Sequence, residues 1–159
     1  MSKKLVAYFS ASGSTAKLSK TLAAAAGAAL YEIRPETPYE RRDLNWMDKK
    51  ARSTVEMQDP NCRPALADFA APVGDADVVF LGFPIWWYRE PSLIDSFLDA
   101  YDLSGKTVVP FFTSGGSGLG EGQERMQALA KGAKVLTGKR FRSGASEQEL
   151  KAWIEGLKL

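Results

Sequence analysis

The sequence predicts an α/β fold, a parallel sheet with helices on both faces. Two observations carry this. Short, continuous apolar runs recur at Leu5-Val6-Ala7-Tyr8-Phe9, at residues 77–83 (DVVFLGF) and at residues 107–112 (TVVPFF). Between them lie stretches with apolar residues at helical spacing, such as Leu18 with Leu22, or Leu93, Ile94, Phe97 and Leu98. A strand that is apolar throughout is buried on both faces, and alternation of such strands with helices builds a parallel sheet. With 159 residues and 45% hydrophobic content, the chain has the size of one ordinary domain and can form a substantial core.

Taken in order, residues 5–9 read as a buried strand and 15–29 as an alanine-rich helix. Residues 29–33 form a second strand bounded by Pro35 and Pro38. Residues 77–83, rich in β-branched and aromatic side chains, form a third. Residues 91–101 form a helix with Pro91 suited to its first turn. Residues 107–112 form a fourth strand. Pro110 lacks an N–H for the ladder, which predicts a bulge or an early end there. Residues 119–131 are helical and 134–136 a short last strand. Ser146-Glu147-Gln148-Glu149 is a capping box opening a helix that runs through Leu157. The connection over residues 35–64 is long, and loops of that length are uncommon unless functional or disordered. It carries Tyr39, Trp46, Arg41, Arg42, Lys49, Lys50 and Arg52, and a short helix is expected within residues 47–57.

Composition excludes several chemistries. The one cysteine, Cys62, leaves no internal disulfide, CxxC pair or all-cysteine cluster. The absence of histidine removes the commonest general base, Ser-His and Cys-His nucleophiles and His-ligated zinc. Net charge is only +2 and the lysines are dispersed, so no nucleic-acid partner is expected. No run is long enough to span a bilayer and no signal-peptide pattern opens the chain, so the expected compartment is the cytoplasm.

In doubly wound sheets, ligands sit beyond the carboxyl ends of the strands. Three segments fall there. Ser10, Ser12, Ser14 and Thr15 surround Gly13 between a strand and a helix, where hydroxyls, backbone N–H groups and the helix dipole can hold a phosphate. One hydroxyl would suffice for an ordinary cap; four exceed that need. Pro84-Ile85-Trp86-Trp87-Tyr88 follows the third strand. Three consecutive aromatics cannot all enter one core, and a planar ligand stacked on one of them would explain the excess. Thr113-Ser114-Gly115-Gly116-Ser117-Gly118 follows the fourth strand, and its glycines allow close approach to a flat ligand. Rival motifs fail. Ser104-Gly105-Lys106-Thr107 ends like a P-loop but precedes a strand, and there is no GxGxxG or GxSxG. Asp95 and Asp99 share a helix face and are expected to be solvated.

The three loops together resemble those of the flavodoxin family. Residues 10–15 resemble its FMN-phosphate loop, (Ser/Thr)-x-(Ser/Thr)-Gly-x-Thr. Residues 75–120 resemble more narrowly a bacterial flavodoxin-like subfamily with Pro-x-Trp-Trp and Thr-Ser-Gly-Gly-Ser-Gly loops, as does Asp43-Leu44-Asn45-Trp46. The resemblance covers nearly the whole chain. It implies a flavodoxin-like three-layer sandwich whose five-stranded parallel sheet has the order 2-1-3-4-5, in a single domain spanning residues 1–159. It implies FMN as cofactor, with Ser10, Ser12, Gly13, Ser14 and Thr15 at the phosphate. Pro84, Ile85, Trp86, Trp87 and Tyr88 would line one side of the isoalloxazine, with Thr113, Ser114, Gly115 and Gly116 on another. Residues 35–64 would cover the flavin edge or pack against the sheet edge.

Two departures matter. Tyr88 stands where the family's ring loop usually has Gly, and electron-carrier flavodoxins are strongly acidic where this chain is slightly basic. Arg89, with Arg41, Arg42 and Arg52, would favour an anionic reduced flavin if they face it. The functions implied are an electron carrier serving a redox partner protein or small acceptor, an FMN-dependent NAD(P)H:quinone or nitro-compound reductase, or an interaction module that has lost FMN.

Overall fold

The computed structural model describes residues 3–114 and 118–159. Its strands are β1 (Lys4–Tyr8), β2 (Ala29–Glu32), β3 (Val78–Pro84), β4 (Thr107–Thr113), β5 (Lys134–Val135) and β6 (Lys139–Arg140). Its helices are α1 (Ser14–Ala26), α2 (Arg52–Gln58), α3 (Ser92–Ala100), α4 (Gly122–Leu129) and α5 (Glu147–Leu157). All strand pairs are parallel, in the order β2-β1-β3-β4-β5, with β6 also paired to β4. The expected order is therefore found. The fifth position is shared by two short strands, making a six-stranded sheet.

Side-chain alternation divides the core in two. On one face Leu5, Ala7, Val79, Leu81, Phe83, Val108 and Phe112 pack against Leu93, Ile94, Phe97 and Leu98 of α3 and Met126 of α4. On the other, Val6, Val78, Phe80, Val109 and Phe111 meet Leu18 and Leu22 of α1 and Leu150 of α5. These are the two helix layers of a three-layer sandwich. Among the described residues, no helix is long and apolar enough to cross a membrane.

Pro110 neither bulges nor ends its strand: β4 continues to Thr113 and Pro110 stays in register with Leu81. The reason is local. Val108 and Phe112 turn their carbonyls toward the last strands, accepting from the N–H groups of Leu136 and Phe141, both at 2.9 Å. Pro110, between them, faces the same way, at the break between Val135 and Lys139 where no ladder bond is required.

The capping-box expectation holds in its forward half, since Ser146 Oγ accepts from the Glu149 N–H at 3.1 Å. The expected helix in the long connection is α2. Tyr39 anchors the stretch before it, packing at ring centroid distances of 5.6 Å from Phe9 and 5.4 Å from Trp86.

Candidate functional site

α1 begins without a side-chain cap. Gly13, at φ 96°, stands at the N-cap, and no hydroxyl accepts from the first turn. That left-handed geometry is what glycine supplies without strain. Ser10 Oγ instead accepts from the Gly13 N–H at 3.1 Å, tightening the loop before the helix. Ser12 and Ser14 line an open cleft of about 400 Å³ with Pro84, Ile85, Thr113 and Ser114. An uncapped helix N-terminus keeps its first N–H groups available, and anions bind at such ends.

Thr15 has a different task. It is buried, and its hydroxyl shares a hydrogen bond of 2.8 Å with that of Thr113, itself buried at the end of β4. The Thr15 side chain thus braces the first turn of α1 against the end of β4.

The ring-loop residues separate. Trp86 is half-buried, edge-on to Phe9 and Tyr39. Trp87 and Tyr88 form the tip of a tight turn closed by mutual backbone bonds between Trp86 and Arg89, at 3.1 and 3.2 Å. Both tip residues lie in the left-handed region, at φ 48° and 64°. Turns with two positive φ angles favour Asn-Gly, so bulky residues here store strain. Gly120, at φ 56°, must be glycine: a Cβ would stand 2.7 Å from the Tyr88 carbonyl oxygen.

Leu44, Trp46, Ser53, Ile85, Trp86, Trp87 and Tyr88 enclose a second cleft of about 740 Å³. Ile85 and Trp86 line both clefts, so the aromatic and hydroxyl spaces adjoin. Ser53 was not a sequence candidate. Its residue is almost fully buried, and its Oγ has no partner among the described residues. A buried hydroxyl with no partner at the cleft suits a ligand heteroatom. The long connection thus borders the cleft through Leu44, Trp46 and Ser53 and also packs on Phe9 through Tyr39. Gly115 and Gly116 lie outside the described residues; Ser114 is at the hydroxyl cleft.

The expectation that Asp95 is solvated is overturned. Asp95 is fully buried, and its Oδ2 takes Arg125 at 2.7 Å and Arg89 at 3.4 Å. Asp99 is exposed as expected and paired with Arg63 at 2.6 Å. Arg89 does not face the cleft either. Only 4% of it is exposed, and it donates to the carbonyls of Met57 and Glu90. Asp95 and Asp99 share one helical stripe in the sequence, which hides that Asp95 alone of the two turns inward to answer Arg89. Arg52 is also engaged, with Glu56 at 3.0 Å, the Thr37 carbonyl at 2.6 Å and the Tyr39 ring. Arg41 and Arg42 are exposed beside Leu44 and Asn45.

Glu90 completes the cluster behind the ring loop. Both its carboxyl oxygens are buried and receive no donor from the described residues when Glu90 is ionised, and Oε2 lies 3.5 Å from Arg125 Nε. Burial pushes its carboxyl up to about 9, a hydrogen bond and the charge of Asp95 add to this, and Arg125 opposes it. The protonated acid can donate to the Asp95 carboxylate.

Sequence reasoning also missed Arg140, Arg142 and Ser143, which line the hydroxyl cleft. The available signal was a pair of arginines flanking an aromatic at the carboxyl edge of the last strand.

Comparison with known proteins agrees with this geometry. A family model described as Flavodoxin matches residues 3–157. No curated protein matches the sequence. The chain is similar to the crystal structure of a candidate flavoprotein from Bacteroides eggerthii, at 42% identity and a TM-score of 0.93 over 100% of this chain and 99% of that one. A candidate flavoprotein from Bacteroides uniformis gives 42% identity and 0.91, over 97% and 98%. A flavoprotein from Lactobacillus acidophilus, crystallised in complex with FMN, shares the fold at 21% identity and 0.73, over 97% and 99%. With strand order and family match in agreement, the chain belongs to the flavodoxin family.

Proposed function

We propose that this protein binds FMN and acts as an electron-transfer flavoprotein. The observation that carries the reading is the uncapped N-terminus of α1, with Ser12 and Ser14 opening onto a cleft that adjoins an aromatic one. Ordinary capping would have spent a hydroxyl on the helix; here none is so used. Ser10, Ser12, Gly13, Ser14 and the Thr15 N–H hold the phosphate in this reading. Pro84, Ile85, Trp86, Trp87 and Tyr88 line the ring, with Thr113, Ser114, Gly115 and Gly116 on its other side. The Lactobacillus acidophilus relative, whose structure is of an FMN complex, supports the choice of cofactor. FMN supplies the one- or two-electron chemistry, and the protein supplies binding, orientation and exclusion of water.

The test is titration of the apoprotein with FMN and with riboflavin. Bound FMN loses fluorescence to Trp86 and Trp87, and riboflavin binds far more weakly. Saturating FMN with unchanged fluorescence and no uptake on gel filtration would sink the reading. Equal affinity for the two flavins would remove the phosphate role of residues 10–15.

A second reading is an FMN-dependent reductase of quinones or nitro compounds. The exposure of Trp46 at 72% and Tyr88 at 71%, beside the open aromatic cleft, favours room for a planar acceptor. Steady-state oxidation of NADH or NADPH with a quinone separates the two, since a carrier without its own reductase activity shows no turnover.

A further inference from the structure

Arg140 and Arg142 flank Phe141, which is buried against Trp153. Arg140 belongs to β6 and pairs with Phe112, so it stands beside the point where β4 gives way to Thr113 and Ser114. Its Nε donates to the Ser114 carbonyl and hydroxyl oxygens, both at 3.2 Å. The Arg142 side chain makes no hydrogen bond among the described residues. Neither arginine has a carboxylate at ion-pair distance among them. Both nevertheless line the same cleft as Ser12 and Ser14. Two uncompensated guanidinium groups beside a hydroxyl loop and an uncapped helix N-terminus make a strongly electropositive concavity.

Hydroxyls and backbone N–H groups can hold a phosphate in either of its ionised states. Guanidinium groups add a charge term that grows with the charge of the ligand, and their planar fork matches phosphate oxygens. A phosphomonoester passes from monoanion to dianion near pH 6, roughly. We infer that Arg140 and Arg142 form a cationic wall of the phosphate subsite and make it selective for the dianionic form of a phosphomonoester. Arg142 acts by direct contact, and Arg140 also positions Ser114 at the start of the glycine-rich loop. This rests on the proposed FMN reading and assigns to that site two residues outside the three loops.

The experiment is equilibrium binding of FMN and riboflavin to the full-length apoprotein, to Arg142→Gln, Arg142→Lys and the Arg140→Gln/Arg142→Gln double variant. Each is measured at low and high salt and on both sides of the phosphate's second ionisation. Arg142→Gln should weaken FMN on the order of tenfold, the size of one charge-assisted hydrogen bond, and leave riboflavin unchanged. The FMN affinity of the parent should fall on acidification and with added salt, both trends flattening in the double variant. Arg142→Lys should keep the salt dependence while losing part of the affinity. Thermal melts without ligand check that the variants fold; should the double variant fail to, Arg142→Gln decides alone, its side chain being exposed and unbonded among the described residues. FMN bound as tightly as by the parent, with the same acid dependence, would overturn the inference and leave the FMN reading intact. A parent that takes up no FMN would overturn both.

Discussion

Two pairs of arginines in this molecule have opposite surroundings. Arg89 and Arg125 lie behind the ring loop, bound to Asp95, to backbone carbonyls and beside Glu90, and Arg89 is almost wholly buried. Arg140 and Arg142 lie at the mouth of the hydroxyl cleft, exposed and without a carboxylate among the described residues. The first pair is engaged within the protein, sharing the Asp95 carboxylate, and ties the ring loop, α3, α4 and the end of α2 together. The second keeps its charge outward, where a ligand or counterion can answer it. Position along the sequence does not separate the two roles: Arg89 directly follows the aromatic run, while Arg142 is far from the hydroxyl loop it faces. The partners decide.

The contrast is easiest to break at Asp95. Asp95→Ala strands two arginines in a buried site, and breaking a buried ion pair costs about 3–5 kcal/mol. Urea denaturation should show that loss, with Arg142→Gln within about 0.5 kcal/mol of the parent, as for an exposed side chain. Equal costs for the two variants would erase the distinction between structural and ligand-facing arginines.

At the ligand side, Ser12→Ala should weaken FMN by about 1.5–3 kcal/mol, the range for hydrogen bonds to charged groups, with stability unchanged. Thr15→Ala should instead lower both stability and affinity, because its hydroxyl braces Thr113. Calorimetric titration together with thermal melts reads the two effects separately. A Thr15→Ala protein that melts like the parent would mean the brace contributes nothing.

A smaller effect is expected at the turn between the two regions. Left-handed geometry costs an L-residue about 1–2 kcal/mol, while glycine adds about 0.5–1 kcal/mol of unfolded-state entropy. Tyr88→Gly should therefore stabilise the protein by up to about 1.5 kcal/mol, read as a shift in urea midpoint. A loss would mean that the exposed ring makes contacts worth more than the strain it imposes.

A separate test is pH. Glu90 holds its proton more tightly folded than unfolded, so its contribution to stability is fully present below its ordinary value of 4.5 and is lost as pH rises through about 9. Glu90→Gln keeps the uncharged form and should flatten that alkaline decline. Parallel stability–pH curves for the two proteins would show that Glu90 does not stay protonated.

Much of the fold could be read directly. Apolar strands and spaced helices give the layers, and the run at residues 77–83 is buried at every position from Val78 to Phe83. What resisted reading depends on neighbours distant in sequence. Pro110 suggests a broken strand until the gap between β5 and β6 is known to lie beside it. The aromatic run suggests burial, yet Trp87 and Tyr88 point outward and the two charged residues after them go inside, an inversion that hydropathy cannot anticipate. The hydroxyl loop was visible because its residues are contiguous; Arg140, Arg142 and Ser53 reach the clefts only through the sheet and α2.

The divided last strand has a consequence for the protein's behaviour in company. An open sheet offers its edges to any other extended chain, and proteins that expose long, regular edges risk stacking on one another. Here one border is two pieces of two residues each, β5 and β6, with the break between them opposite Pro110. The other, β2, is four residues long and followed closely by Pro35. Neither gives a foreign strand more than a brief hold. A sheet with such short borders resists growing into a neighbouring copy even during intervals when its clefts hold nothing.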